Sequence, residues 1–267
     1  MSRTITSPDT EDFVTVSGLP AEVRRGGRGR PLLVLHGELG IPGWTRALND
    51  LSTTFAVVAP SLPGFGRSEC PEWIMSIDDL ATWTVSCIEA LELEQPLSVV
   101  ASSMGAWIAM HLAAVNRTIF DRMVLVNPVG VKPPDGEIWD YFYYTAKDGF
   151  ARAFNDLDSP EYVEYYGRDW TVDESEQAER NREMACRLVW KPYMWSYTTR
   201  GRVQGIRTPT LVVVSSGDRI VPNSLGHCVH QTIAGSQYRV IEDAGHLVEM
   251  ERPDQFAAVV REFLGQG

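Results

Sequence analysis

Two adjacent serines, Ser102 and Ser103, stand in LSVVASSMGAWIAM (residues 97–110), where an apolar run turns directly into a helical pattern. A strand that turns sharply into a helix exposes one side chain at its tip. The two backbones then pass so close that the residues two before and two after the exposed one must be small. Around Ser103 those positions are Ala101 and Gly105; around Ser102 they are Val100 and Met104, both too bulky. Ser103 is therefore the candidate nucleophile. A serine hydroxyl is weak near neutral pH and needs an adjacent base, itself held by a carboxylate. Downstream, LVVVSSGDRIVP places Asp218 just past a strand, and YRVIEDAGHLVEMERP places His246 in a loop ahead of the last helix.

Rivals lose on position. Asp243 stands in the turn before His246, where local backbone hydrogen bonds are its natural use. Asp121 precedes its strand and falls at the wrong edge of a sheet, and the strand MVLVNP ends in Asn127 rather than an acid. His227 and His230 are spaced i, i+3, but no carboxylate or cysteine completes a metal motif around them. His111 sits on the helix after Ser103 as a packing residue. No metal and no organic cofactor is expected, since zinc-ligand spacings and glycine-rich phosphate loops are both absent from the sequence.

The elements that must position these residues alternate. PLLVLHG, FAVVAP, LSVVA, RMVLVNP and TPTLVVVSSGD are short apolar runs, the pattern of strands buried on both faces of a parallel sheet. Helical patterns such as WTRALNDLS, MGAWIAMHLAAV and PDQFAAVVREFL lie among them. SIDDLATWTVSCIEALELE is another, with Ser76 as N-cap and Asp79 three residues on. DFVTVSG and LPAEVRRGG add two strands at the start, and YRVIED one near the end. The fold class expected is α/β, a mostly parallel sheet with helices on both faces. From Val131 to Val203 no clear apolar strand occurs, and eight of the nine tyrosines gather there. We expect a core of residues 1–130 and 204–267, interrupted by a mainly helical insertion, 131–203.

A chain of 267 residues, 44% hydrophobic and 22% charged, buries a sizeable core. Its formal net charge of −11 argues against nucleic acid or an anionic membrane as partner. No apolar run approaches the ~18 residues of a membrane span. The opening MSRTITSPDTEDF lacks the apolar centre of a secretory signal, and Cys70, Cys87, Cys186 and Cys228 form no CxxC pair. These features point to a cytoplasmic protein with free thiols and a small-molecule substrate, with a homo-oligomer left open.

Taken in order, LLVLHG, PSLPGFGRS, ASSMG, SSGDRIVP and DAGHLVEMERP resemble the α/β-hydrolase fold superfamily along nearly the whole chain. Ala101 replaces the first glycine of that superfamily's G-x-S-x-G turn. The resemblance implies Ser103 as nucleophile, His246 as general base and then acid, and Asp218 as the group orienting the imidazole. It implies an oxyanion hole of backbone N–H groups: Met104 after the nucleophile, and Glu38 or Leu39 in the loop after VLHG. His36 is structural in this motif. Glu38 stands out, because a carboxylate there repels a developing anion unless it points away or is paired. The insertion corresponds to the family's cap, and Trp139, Tyr143, Tyr144 and Trp190 are its candidates for the substrate pocket.

Among serine-nucleophile members with a helical cap, the chain is similar to esterases and to ring-cleavage-product C–C hydrolases. The first expectation is hydrolysis of a small or medium apolar ester, or related acyl compound, through an acyl-serine intermediate. Turnover should then rise as His246 loses its proton near neutral pH. Hydrolysis of a C–C bond in a diketone-like substrate is the alternative. SSMGAW and the cap look similar to that group, but Leu247 replaces its tryptophan after the histidine, and its oxyanion loop reads HGELGIPG here. Cofactor-free lyase or oxygenase chemistry, or small-ligand reception, is a third use of the fold. A serine nucleophile sets the chain apart from haloalkane dehalogenases and epoxide hydrolases, which resemble one another in using aspartate.

Overall fold

The computed structural model describes residues 10–265. Most of the polar opening read above lies outside them, as do the outer ends of the two core segments. Eight strands form one sheet in the order β1-β2-β4-β3-β5-β6-β7-β8. They are β1 (Thr10–Val16), β2 (Leu19–Gly26), β3 (Pro31–Leu35), β4 (Ala56–Pro60), β5 (Leu97–Ser102), β6 (Phe120–Val126), β7 (Thr210–Ser215) and β8 (Gln237–Ile241). β1, β2 and β4 pair antiparallel, and every other neighbour pairs parallel. The expected α/β class is what the structure has.

Successive residues of a strand point to opposite faces, so an apolar run serves two cores at once. Leu33, Leu35, Val99, Ala101, Met123 and Leu125 face one layer, built from α2 (Ile77–Ala90), α3 (Met104–Val115) and α8 (Asn223–Thr232). Leu32, Val57, Val100, Val124, Val126 and Val213 face the other, built from α1 (Arg46–Ser52) and α10 (Pro253–Leu264). Each such side chain contributes about 1.5–3 kcal/mol when fully buried. The Ser76 hydroxyl caps α2 by accepting from Asp79 N–H at 3.2 Å, as its spacing suggests.

Between β6 and β7 lie α4 (Ala146–Ala153), α5 (Pro160–Tyr165), α6 (Val172–Val189) and α7 (Thr199–Val203). Strand pairing there amounts to a single bridge, Gly130 to Trp195. Local chemistry starts the two longer helices: Thr145 with Asp148, and Thr171 with Glu174, form reciprocal capping boxes. The four-residue α9 (Val248–Glu251) follows β8. The four cysteines are free, and among the described residues no helix is long and apolar enough to cross a membrane.

Candidate active site

Ser103 joins β5 to α3 with φ 47° and ψ −112°, a backbone conformation that costs an L-residue about 1–3 kcal/mol. Its N–H donates to Val126 O at 2.8 Å, pinning the turn to β6. A Cβ on Gly105 would overlap the carbonyl oxygens of Leu35 and His36, so α3 approaches β3 this closely only with glycine there. The two serines then part company. Ser102 Oγ donates to Glu249 Oε1 at 3.0 Å, whereas Ser103 Oγ is buried without a hydrogen-bond partner among the described residues.

Asp218 follows β7 in a turn that its own side chain closes. Oδ1 accepts from Ile220 N–H at 2.8 Å and Val221 N–H at 2.9 Å. Oδ2 faces His246 Nδ1 at 2.7 Å. The His246 carbonyl accepts from Asn127 Nδ2 at 2.8 Å, and Asn127 also accepts from Ser215 N–H at 3.0 Å. Glu251 holds the other side of this loop, accepting from Gly245 N–H at 2.6 Å and from Asn155 and Asp156 N–H at 2.9 and 2.6 Å. The structure thus fixes His246 against Asp218 from two sides.

Glu38 occupies the remaining side of the imidazole, its Oε1 lying 3.4 Å from His246 Nε2. Burial opposes charge on both groups, and their partners outweigh it. Asp218 and then Glu38 hold His246 well above the usual histidine range, while His246 holds the Glu38 carboxyl below its ordinary value. The carboxylate that looked out of place beside an oxyanion is paired with the imidazole. His36 braces the same loop: Nδ1 donates to Gly37 O at 2.7 Å and Nε2 accepts from Leu62 N–H at 2.9 Å. Burial lowers its pKa to about 4, so it stays neutral. Asn181 of α6 ties the insertion to this loop, donating to Leu39 O at 3.3 Å and accepting from Gly66 N–H at 3.1 Å. Met104 N–H opens α3, where no carbonyl of its own helix is placed to accept it.

Ser103, His246, Glu38 and Glu249 line a cavity of about 50 Å³. Beside it a groove of about 490 Å³ runs between core and insertion, and Leu39, Ile41, Pro42 and Tyr166 border both. The four aromatics expected in the pocket are elsewhere. Tyr143, Tyr144 and Trp190 are exposed, Trp139 stacks on Tyr144 with centroids 4.7 Å apart, and none of the four lines the cavity. Three of the rings lie at the surface and Trp139 is half-buried against the core, while other aromatics of the insertion face inward. Tyr166 reaches the cavity, and Tyr141 is buried with its Oη unpartnered and Glu38 raising its pKa, second to burial. Glu249, which the sequence did not single out, has its carboxyl pushed up by burial. Its one signal is the spacing of three residues from His246, which the short α9 folds back toward Ser102. Among the described residues no group of three His, Cys, Asp or Glu side chains could hold a metal.

The alpha/beta hydrolase fold family matches the chain over residues 30–253, and the chain belongs to it. Among relatives, it is 26% identical over 282 residues to 2-hydroxymuconate semialdehyde hydrolase of Pseudomonas sp. strain CF600, covering 97% of this chain and 95% of that one. It is 27% identical over 248 residues to pyrrolizixenacetamide deacetylase of Xenorhabdus hominickii, covering 89% and 92%. A thermophilic esterase from Thermogutta terrifontis shares the fold with a TM-score of 0.75 at 23% identity, over 96% of this chain and 98% of that one.

Proposed function

We propose that the protein is a serine hydrolase that cleaves a small or medium ester or related acyl compound through an acyl-enzyme on Ser103. The observation that carries it is the His246 imidazole fixed on Asp218 at 2.7 Å through Nδ1, with Nε2 3.4 Å from Glu38 in a cavity that the unpartnered Ser103 hydroxyl also lines. His246 takes the Ser103 proton as Oγ attacks the carbonyl, and returns it to the leaving group. Asp218 keeps the imidazole oriented and stabilises its charged form. The Met104 N–H, with Glu38 or Leu39 N–H, receives the oxyanion; one such donor is worth about 2.7–4 kcal/mol. Residues 131–203 act as the cap, and the groove beneath it takes the rest of the substrate.

Intact-protein mass after exposure to a fluorophosphonate tests this. One adduct is expected on the wild type and none on Ser103→Ala. An unlabelled wild type, or a labelled Ser103→Ala, would sink the assignment. A second reading, C–C bond hydrolysis, is favoured by similarity to the semialdehyde hydrolase over 97% of this chain. Turnover of a diketone in preference to matched esters would select it.

A further inference from the structure

Glu38 is 1% exposed, and neither of its oxygens accepts a hydrogen bond among the described residues. The cation it faces, His246 Nε2, is at 3.4 Å and belongs to an imidazole already engaged by Asp218 at 2.7 Å. Two carboxylates against one imidazolium leave this corner negative. The rest of the cavity does not offset it: no lysine or arginine lines it among the described residues, and His36 is neutral. Glu249 adds a third carboxyl.

A buried carboxylate with open acceptor sites calls for a donor, and what enters the cavity must supply it. The position of that donor is constrained. Gly37, next to Glu38, lies so near Ser103 that a Cβ on it would be 3.0 Å from the Ser103 Cβ. Glu38 therefore borders the place where the scissile carbonyl must sit. We propose, resting on the serine-hydrolase reading, that Glu38 is the specificity-determining residue of this cavity. It selects acyl substrates with an amine or amide N–H beside the scissile carbonyl and turns away those with a carboxylate there.

The N–H fills acceptor sites that are otherwise empty. A carboxylate brings like charge into a buried cluster whose one cation, the His246 imidazolium, is already shared by Asp218 and Glu38. The choice also reaches the base. A donor on Glu38 weakens that carboxylate's hold on Nε2, which frees the imidazole to take the Ser103 proton. A substrate of the selected class thus completes the activation of its own nucleophile.

The test is kcat/KM for three p-nitrophenyl esters of similar size: the glycine ester, the acetate and the hydrogen malonate. Each is corrected for its reaction with hydroxide and for a Ser103→Ala blank. Wild type should favour the glycine ester over the malonate by about 100-fold, and Glu38→Gln should shrink that ratio at least about tenfold. Glu38→Asp keeps the charge and should keep the order of preference. A ratio unchanged in Glu38→Gln, lost in Glu38→Asp, or favouring malonate in wild type overturns the proposal while leaving the hydrolase reading intact. Absence of turnover above the Ser103→Ala blank with all three esters, together with absence of fluorophosphonate labelling, overturns both.

Discussion

Glu22 and Glu38 are equally hidden, 3% and 1% exposed, yet their oxygens live in opposite conditions. Glu22 on β2 accepts from Ser61 Oγ at 2.9 Å, from Arg67 N–H at 2.9 Å and from Arg67 Nε at 3.2 Å, with Arg24 Nη2 at 3.3 Å. Glu251 is likewise filled by three backbone N–H groups. Glu38 accepts no hydrogen bond among the described residues, and the Ser103 and Tyr141 hydroxyls near it are also unpartnered. Where a buried carboxylate is saturated it fastens the chain. Where it is left open, the fold has kept a place for a ligand, because an unmet buried polar atom otherwise costs about 1–3 kcal/mol.

Stability is where this contrast breaks most visibly. Glu251→Ala strands Gly245, Asn155 and Asp156 N–H and loosens both the His246 loop and the insertion. We expect a loss of about 3–5 kcal/mol in urea unfolding. Glu38→Gln strands no donor and should stay within about 1 kcal/mol of wild type. Equal losses in the two variants would erase the distinction.

The pH dependence sharpens it. Asp218 and Glu38 raise the His246 pKa against the cost of burial, so its basic form appears only on the alkaline side of the ordinary histidine range. Fluorophosphonate labelling of Ser103 should climb there, and not through neutrality as the sequence alone suggests. Glu38→Gln removes one anion, leaving Asp218 and the more weakly ionised Glu249, and should move the rise toward acid. The same linkage governs stability. A histidine raised on folding stabilises fully below its unfolded pKa and ceases to as pH climbs through the folded one. Wild-type Tm should therefore fall as pH rises from the ordinary histidine pKa toward the raised folded one. In Glu38→Gln the fall should start at the same pH but level off sooner, with a smaller total loss. A labelling profile identical in the two proteins would mean that Glu38 does not act on the imidazole.

What the sequence makes legible here is what backbone geometry dictates within one window. Ser103 is distinguishable from Ser102 because Gly105 must lack a Cβ against Leu35 and His36, and that need shows in a five-residue pattern. Asp218 follows β7 and His246 follows β8, so apolar runs were enough to bring them to one edge. Glu38 is visible as an anomaly, but its partner is set by the approach of two distant loops, which no local pattern encodes. Orientation within the insertion is likewise tertiary. Tyr141 and Tyr143 stand two apart in DYFYYT; the first is buried and its N–H donates to the Tyr193 hydroxyl at 2.8 Å, while the second is exposed.

That pair of tyrosines supplies the finest comparison. Tyr141 is 2% exposed and its hydroxyl keeps its proton, since burial and then Glu38 push the phenol up. Tyr143 is 79% exposed. Tyr141→Phe deletes an unpartnered buried hydroxyl, so stability should hold or rise slightly, while kcat/KM falls by about fivefold if that donor serves the substrate. Tyr143→Ala should change neither, with stability inside about ±0.5 kcal/mol. Should Tyr143→Ala lower kcat/KM and Tyr141→Phe leave it alone, the outer aromatic surface would be where substrate is read, and the inward tyrosine would be packing only.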